Sequence, residues 1–293
     1  MRGPRLAVRP TLRAGLLAMV LAACAPVGGK GGAPALDQDK LEAAVGHAIG
    51  GGGTCVVLND VASGRILYQY GNANVCMRGL PPCATFDIAN DLIGLDLGAV
   101  TPATVFKWDG TPQPVKAWEA DADLAKAFRN SIGWWQGRLA IAVGHDRYVE
   151  QLKALDYGTR DPAGPVQSFW MGSRFGGGLW ISTREQADFL RRFYAGRLPV
   201  KPEAAALVRQ LMVDEIRTDA KGGQFVVSGR AGDCATVSDN SRSVGWWVGR
   251  LKTPTRDLAF AVSFEGDDAP PGAEVRNRVK DVFADAGLWP AER

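Results

Sequence analysis

Two periodicities alternate along the chain, and the places where one gives way to the other mark the elements. Residues 41–49 carry a helical spacing of apolar positions that the glycines at 50–53 end. Residues 54–58 form a short apolar run rich in β-branched side chains, Ala62-Ser63-Gly64 reads as a turn, and 65–70 as a returning strand. A second helix is predicted from about 85 to 97, stopped by Gly98. Helical patterns recur at 121–130, 138–155, 184–194 and 203–214, and the Gly- and Pro-rich stretch 157–178 reads as loop. Strand patterns return at 224–228, 244–251 and 258–264, before a last helix at about 273–286. Strands at both ends of a helical middle predict one α/β unit whose antiparallel sheet joins the two ends, with an inserted helical region.

The first residues do not share this pattern. Arg2, Arg5, Arg9 and Arg13 precede the apolar run AGLLAMVLAA, which at ten residues is too short to span a bilayer and reads as the core of a signal peptide. It ends in Leu21-Ala22-Ala23-Cys24, which resembles a bacterial lipobox, so Cys24 is the expected lipidated first residue of the mature chain. The organisation expected is a lipoprotein signal peptide at 1–23, a flexible tether of small residues at 24–37 and one domain at 38–293. That places the domain at the bacterial cell envelope, exported to the periplasm and held to a membrane through its N-terminal lipid. The formal net charge of +3 falls to −1 when the four signal arginines are removed, so the basic balance gives no support to nucleic-acid binding.

Export implies an oxidising compartment, in which Cys55, Cys76, Cys83 and Cys234 can form disulfides. Cys76 and Cys83 bracket the short loop MRGLPP and are expected to pair; a Cys55–Cys234 bond is left open. No Cys/His spacing fits a metal site, His47 and His145 stand alone, and no Gly-rich phosphate loop occurs, so neither metal nor cofactor is expected.

The order of motifs resembles the class D β-lactamases (oxacillinases), which share a fold with penicillin-binding transpeptidases. Residues 82–98 resemble the helix that carries the family's S-T-F-K motif, and Val105-Phe106-Lys107-Trp108-Asp109-Gly110 resembles its FKWDG loop. Trp118 and Ser131 fall where the family has a tryptophan and the serine of S-x-V. Tyr157-Gly158 resembles the start of Y-G-N, and Phe169-Trp170 and Ile181-Ser182 the FW…IS segment. Arg230-Ala231-Gly232 occupies the K-T-G position, and Gly245-Trp246-Trp247-Val248-Gly249 follows it. The resemblance covers about 41–293 and implies the serine-β-lactamase/penicillin-binding-protein transpeptidase-like fold.

It also implies a mechanism. In the family the motif serine attacks the β-lactam carbonyl, and a carbamylated lysine one helical turn later is the base; the i, i+3 interval puts both on one face. Backbone N–H groups form the oxyanion hole, and the K-T-G lysine and a later arginine attract the drug's carboxylate. Here the serine position is Ala84 and the lysine position is Asp87. A methyl group has no proton to give up, and a carboxylate cannot form a carbamate. Both parts of the activated nucleophile are missing, so the family reaction is expected to be absent.

The ligand-binding candidates are Ser131, Trp170, Arg230, Gly232 and Arg276, the last matching the family's carboxylate-binding arginine. The ligands implied are a β-lactam or a peptidoglycan fragment, bound without covalent chemistry. Two plainer readings stand beside this one: Trp170, Trp246 and Trp247 as core packing, and Arg230 as an ion-pair partner of Asp87 that fills the old site. Two further functional readings are a hydrolase or acyl-transferase using another nucleophile, with Cys83 the nearest, and an interaction protein with a filled cleft. Ser131 keeps its position but has no lysine partner, and Thr104-Val105-Phe106-Lys107 has T-x-x-K spacing outside the site helix. Ser238-Asp239-Asn240 spells a penicillin-binding motif but falls after the K-T-G position and reads as a turn.

Overall fold

A computed structural model describes residues 34–235 and 242–290, apart from the side chain of Arg174. The signal peptide, Cys24, the N-terminal part of the tether and Ser238-Asp239-Asn240 lie outside the described residues.

The chain opens with α1 (Gln38–Ala48), capped by the Asp37 side chain, and the hairpin β1 (Thr54–Asp60) and β2 (Ile66–Tyr70). The short helix α2 (Ala73–Cys76) leads to a 3₁₀ turn at Cys83–Phe86 that runs into α3 (Asp87–Asp96). The middle holds the two-stranded ribbon β3 (Val105–Phe106) and β4 (Ala122–Asp123), then α4 (Leu124–Asn130), α5 (Gly133–Val143), α6 (His145–Leu155), α7 (Thr183–Tyr194) and α8 (Pro202–Leu211). Four strands follow, β5 (Val213–Thr218), β6 (Gln224–Ala235), β7 (Ser243–Lys252) and β8 (Asp257–Gly266), and α9 (Gly272–Asp285) closes the fold.

The main sheet is antiparallel with the order β2-β1-β8-β7-β6-β5, so the first hairpin and the last four strands form one surface. Its central strands are covered on both faces, which is why they read as nearly unbroken apolar runs. Side chains still alternate. Val244, Trp246 and Val248 face the helical region, while Trp247 and Leu251 face α1 and α9. Trp246 and Trp247 are therefore core residues, fully buried on opposite faces of one strand.

Three expectations needed correction. The pattern at 138–155 is two helices, because Gly144 takes φ +86° between α5 and α6, a conformation that ends the first. The helix expected to reach 214 stops at Leu211, and Val213–Thr218 is an edge strand. VDEIRT hid that strand, since an edge with one open side carries charge and exposes Val213 and Ile216.

The third correction concerns the disulfides. Cys76 pairs with Cys55, and Cys83 with Cys234, at Cα separations of 5.3 and 5.7 Å. α2 packs on β1, which brings Cys76 over Cys55. The chain then leaves as a bridge between Leu80 and Ile181, carrying Cys83 across to β6. The short loop between Cys76 and Cys83 spans two structural regions and closes neither.

Candidate functional site

The 3₁₀ turn is fixed from several sides. Pro81 O accepts the Trp246 indole N–H at 2.9 Å, and Cys83 N–H donates to Trp170 O at 3.0 Å. Thr85 hydroxyl donates to Pro82 O at 2.6 Å and accepts from Gln186 Nε2 at 2.7 Å. The Cys83–Cys234 bond ties the same turn covalently to β6. β6 passes so close that a Cβ on Gly232 would lie 2.9 Å from Ala84 N and 2.8 Å from Thr85 N. Only glycine lets the strand and the turn touch there.

Ala84 thus presents a methyl group on a rigid floor. One turn on, Asp87 opens α3 with 3% of its surface exposed, and its Oδ2 accepts from Arg230 Nη2. Arg230, 5% exposed, also donates through Nη1 to Phe128 O and through Nε to Ala84 O at 3.2 Å, and its guanidinium carbon sits 4.5 Å from the centre of the Phe128 ring. All three guanidinium nitrogens are engaged within the protein. At the two positions where the resemblance leads one to expect lysines, Asp87 and Arg230 form a charge pair that holds itself.

A second carboxyl lies a further turn along α3. Asp91 is fully buried, and among the described residues neither of its oxygens has a partner at full hydrogen-bond geometry. Gln136 Nε2, also unpartnered, is the polar group facing it, and the rest of Gln136 is held by Asn90 Nδ2, which donates to Gln136 Oε1 at 2.6 Å. Tyr148 hydroxyl completes the file by donating to Asn90 Oδ1. Burial pushes both carboxyls up from their ordinary range. Arg230 restrains the rise for Asp87, whereas Asp91, with no cation of its own and the charge of Asp87 nearby, is pushed well above it. One signal for Asp91 is legible along the chain: an acid at i+4 from Asp87 inside an apolar run.

Above Ala84 and Asp87 lies a cleft of about 620 Å³. Trp118 and Trp134 line it from the ribbon side, Trp170, Met171 and Phe175 from the 157–178 loop, and Ala231, Gly232 and Asp233 from β6. Trp170 serves two purposes, since it is 3% exposed and packs 5.1 Å from Phe86 while an edge reaches the cleft. Ser131, which ends α4 at φ +54°, lies between this cleft and a second cavity of about 300 Å³.

The structure therefore gathers Ala84, Asp87, Ser131, Trp170 and Gly232 on one cleft, with Arg230 beneath its floor. Arg276 is placed elsewhere. It lines the second cavity, where Nη2 and Nε bind Asp214 at 2.6 and 2.9 Å. Trp134, Met171, Phe175 and Asp233 were not singled out from sequence, because nothing in their local pattern sets them apart from packing or turn residues. Among the described residues no three metal-ligating side chains cluster.

Comparison with known proteins agrees with this geometry. Residues 54–284 match the penicillin binding protein transpeptidase domain. β-Lactamase OXA-3 of Pseudomonas aeruginosa is 32% identical over 232 residues, which cover 79% of this chain and 75% of that one. The BPu1 β-lactamase superposes with a TM-score of 0.73 at 26% identity, covering 85% of this chain and 98% of its own. A class D β-lactamase from Bacillus subtilis superposes at 0.70 with 27% identity, covering 81% and 93%. The chain belongs to the penicillin-binding transpeptidase family, on its class D β-lactamase-like side.

Proposed function

We propose that this protein is a catalytically degenerate member of its family, an envelope lipoprotein that binds β-lactam or peptidoglycan-like ligands without covalent chemistry. The observation that carries the reading is Ala84 beside the Asp87–Arg230 pair. The nucleophile position offers a methyl group, and the base position holds a carboxylate already bound to a guanidinium. An acyl-enzyme needs an oxygen or sulfur to attack the carbonyl and a base to take its proton. Cys83 does not supply the sulfur, since its Sγ is bonded to Cys234. The cleft above these residues supports retained binding over a filled interior, because its volume is of the size that takes a small ligand.

The test is turnover of a chromogenic cephalosporin by the purified full chain, beside an active class D β-lactamase. The expected rate is that of buffer alone. Hydrolysis that scales with protein concentration would overturn the reading, and its loss in Cys83→Ser would name Cys83 as the nucleophile.

A further inference from the structure

Among the described side chains, the charges around the cleft are not those of a site for an anion. Among the described side chains that line it, the ionisable ones are Asp87 and Asp233, and there is no lysine or arginine. Arg230 lies below the floor with Asp87 against it. Arg276 and the exposed Arg129 line the neighbouring cavity together with Arg230, and there Arg276 is bound to Asp214. At the rim, Arg138 is paired with Asp109 at 2.9 Å. Asp233 is exposed and makes no ion pair among the described residues. Its Oδ1 accepts from Gly272 N–H at 3.0 Å, and among the described residues none bonds its Oδ2.

The walls add a second feature. Trp118 donates its indole N–H to Asn130 O and Trp134 donates its own to Trp118 O, each at 2.9 Å. With their polar edges satisfied by backbone, these rings have only their π-faces and apolar edges to offer a ligand. Trp134 already accepts a cation in this way, for the Arg138 guanidinium carbon stands 5.2 Å from the centre of its ring. Indole faces attract cations through the ring quadrupole, more strongly where water is partly excluded.

Resting on the non-covalent reading above, we infer that, among the ligands that reading allows, the cleft favours one carrying an ammonium group next to an apolar or aromatic body over one whose only charge is a carboxylate. Indole faces and the exposed carboxylate of Asp233 supply attraction for the cation, and the apolar walls take the body. A carboxylate would meet Asp233 and find no free guanidinium among the described side chains.

Tryptophan fluorescence titrations of the full chain with four probes test this: benzyltrimethylammonium, its neutral isostere neopentylbenzene, phenylacetate and benzylpenicillin. The ammonium probe should bind roughly three- to thirtyfold more tightly than the isostere, and the two anions more weakly than either. Asp233→Asn keeps an oxygen for Gly272 N–H. It should leave the melting temperature unchanged and cut the ammonium's advantage roughly three- to tenfold. Equal binding of ammonium and isostere, tighter binding of an anion, or an unchanged preference in Asp233→Asn overturns the inference while leaving non-covalent binding intact. No binding by any probe overturns the inference and the binding reading with it. A covalent adduct with benzylpenicillin overturns the proposed function and this inference with it.

Discussion

Two carboxyls and one guanidinium share the buried floor at Ala84, and their arithmetic governs the residue-scale behaviour. Asp87 and Arg230 have 4% and 6% of their side chains exposed, so each depends on the other for its missing water. Removing one partner strands a buried charge, which typically costs about 3–5 kcal/mol, whereas replacing both by apolar groups is often neutral or better. Asp87→Ala should therefore lower unfolding stability by that amount, while Asp87→Leu with Arg230→Met should recover most of it; chemical denaturation of the two variants reads the difference. Asp91 has a different signature. Its folded-state carboxyl is pushed well above the ordinary range by burial and by Asp87, so the folded protein keeps a proton that the unfolded chain releases above about pH 4. Stability should thus be highest below that pH for this group and fall as pH rises, by at most about 1.4 kcal/mol per pH unit, until Asp91 ionises. Asp91→Asn removes the titrating proton. Denaturation at pH 5 and pH 8 should show a shallower loss for Asp91→Asn than for the parent protein; equal slopes would sink the assignment.

At the scale of elements, the 3₁₀ turn and β6 act as one unit. They are joined by the Cys83–Cys234 bond across 151 residues of sequence and by the contact that Gly232 permits. Losing a disulfide that closes so long a loop generally costs about 2–5 kcal/mol. Cys83→Ser with Cys234→Ser should show a loss in that range, with a larger effect on the cleft than removal of the Cys55–Cys76 bond, which lies on the β1 side. Non-reducing peptide maps should recover 55–76 and 83–234 as the linked pairs, and a 76–83 peptide would contradict the placement of both. The long elements were legible from the sequence because periodic burial creates them: α7, with its Ser182/Glu185 capping box, and the double-faced β7 and β8. β5 was not legible, since an edge strand's charges pair along and beyond it, as Lys280 does with Glu215, and leave no clean alternation. Nor was cysteine pairing. It depends on how α2 and the Leu80–Ile181 bridge route the chain, and spacing along the sequence contains no trace of that.

At the scale of the molecule, one sheet drawn from both ends of the chain separates the α1/α9 layer from the helical region that builds the cleft. The order of motifs carried this architecture in the sequence, and Ala84 and Asp87 stood out against it. The burial of Arg230 and its engagement with Asp87 needed the fold, because no local pattern fixes which of several cations meets an acid 143 residues away. The N-terminal lipid is a proposal of this scale too. Growth with an alkyne-labelled fatty acid should label the full chain and not Cys24→Ala; equal labelling of both would remove the anchor. The proposed loss of the nucleophile is tested most directly by the intact mass of the full chain after incubation with a reactive penicillin at high excess. The mass should be unchanged and the drug intact. An increase of one drug molecule would contradict the loss of covalent chemistry, and peptide mapping would then locate the atom that attacked.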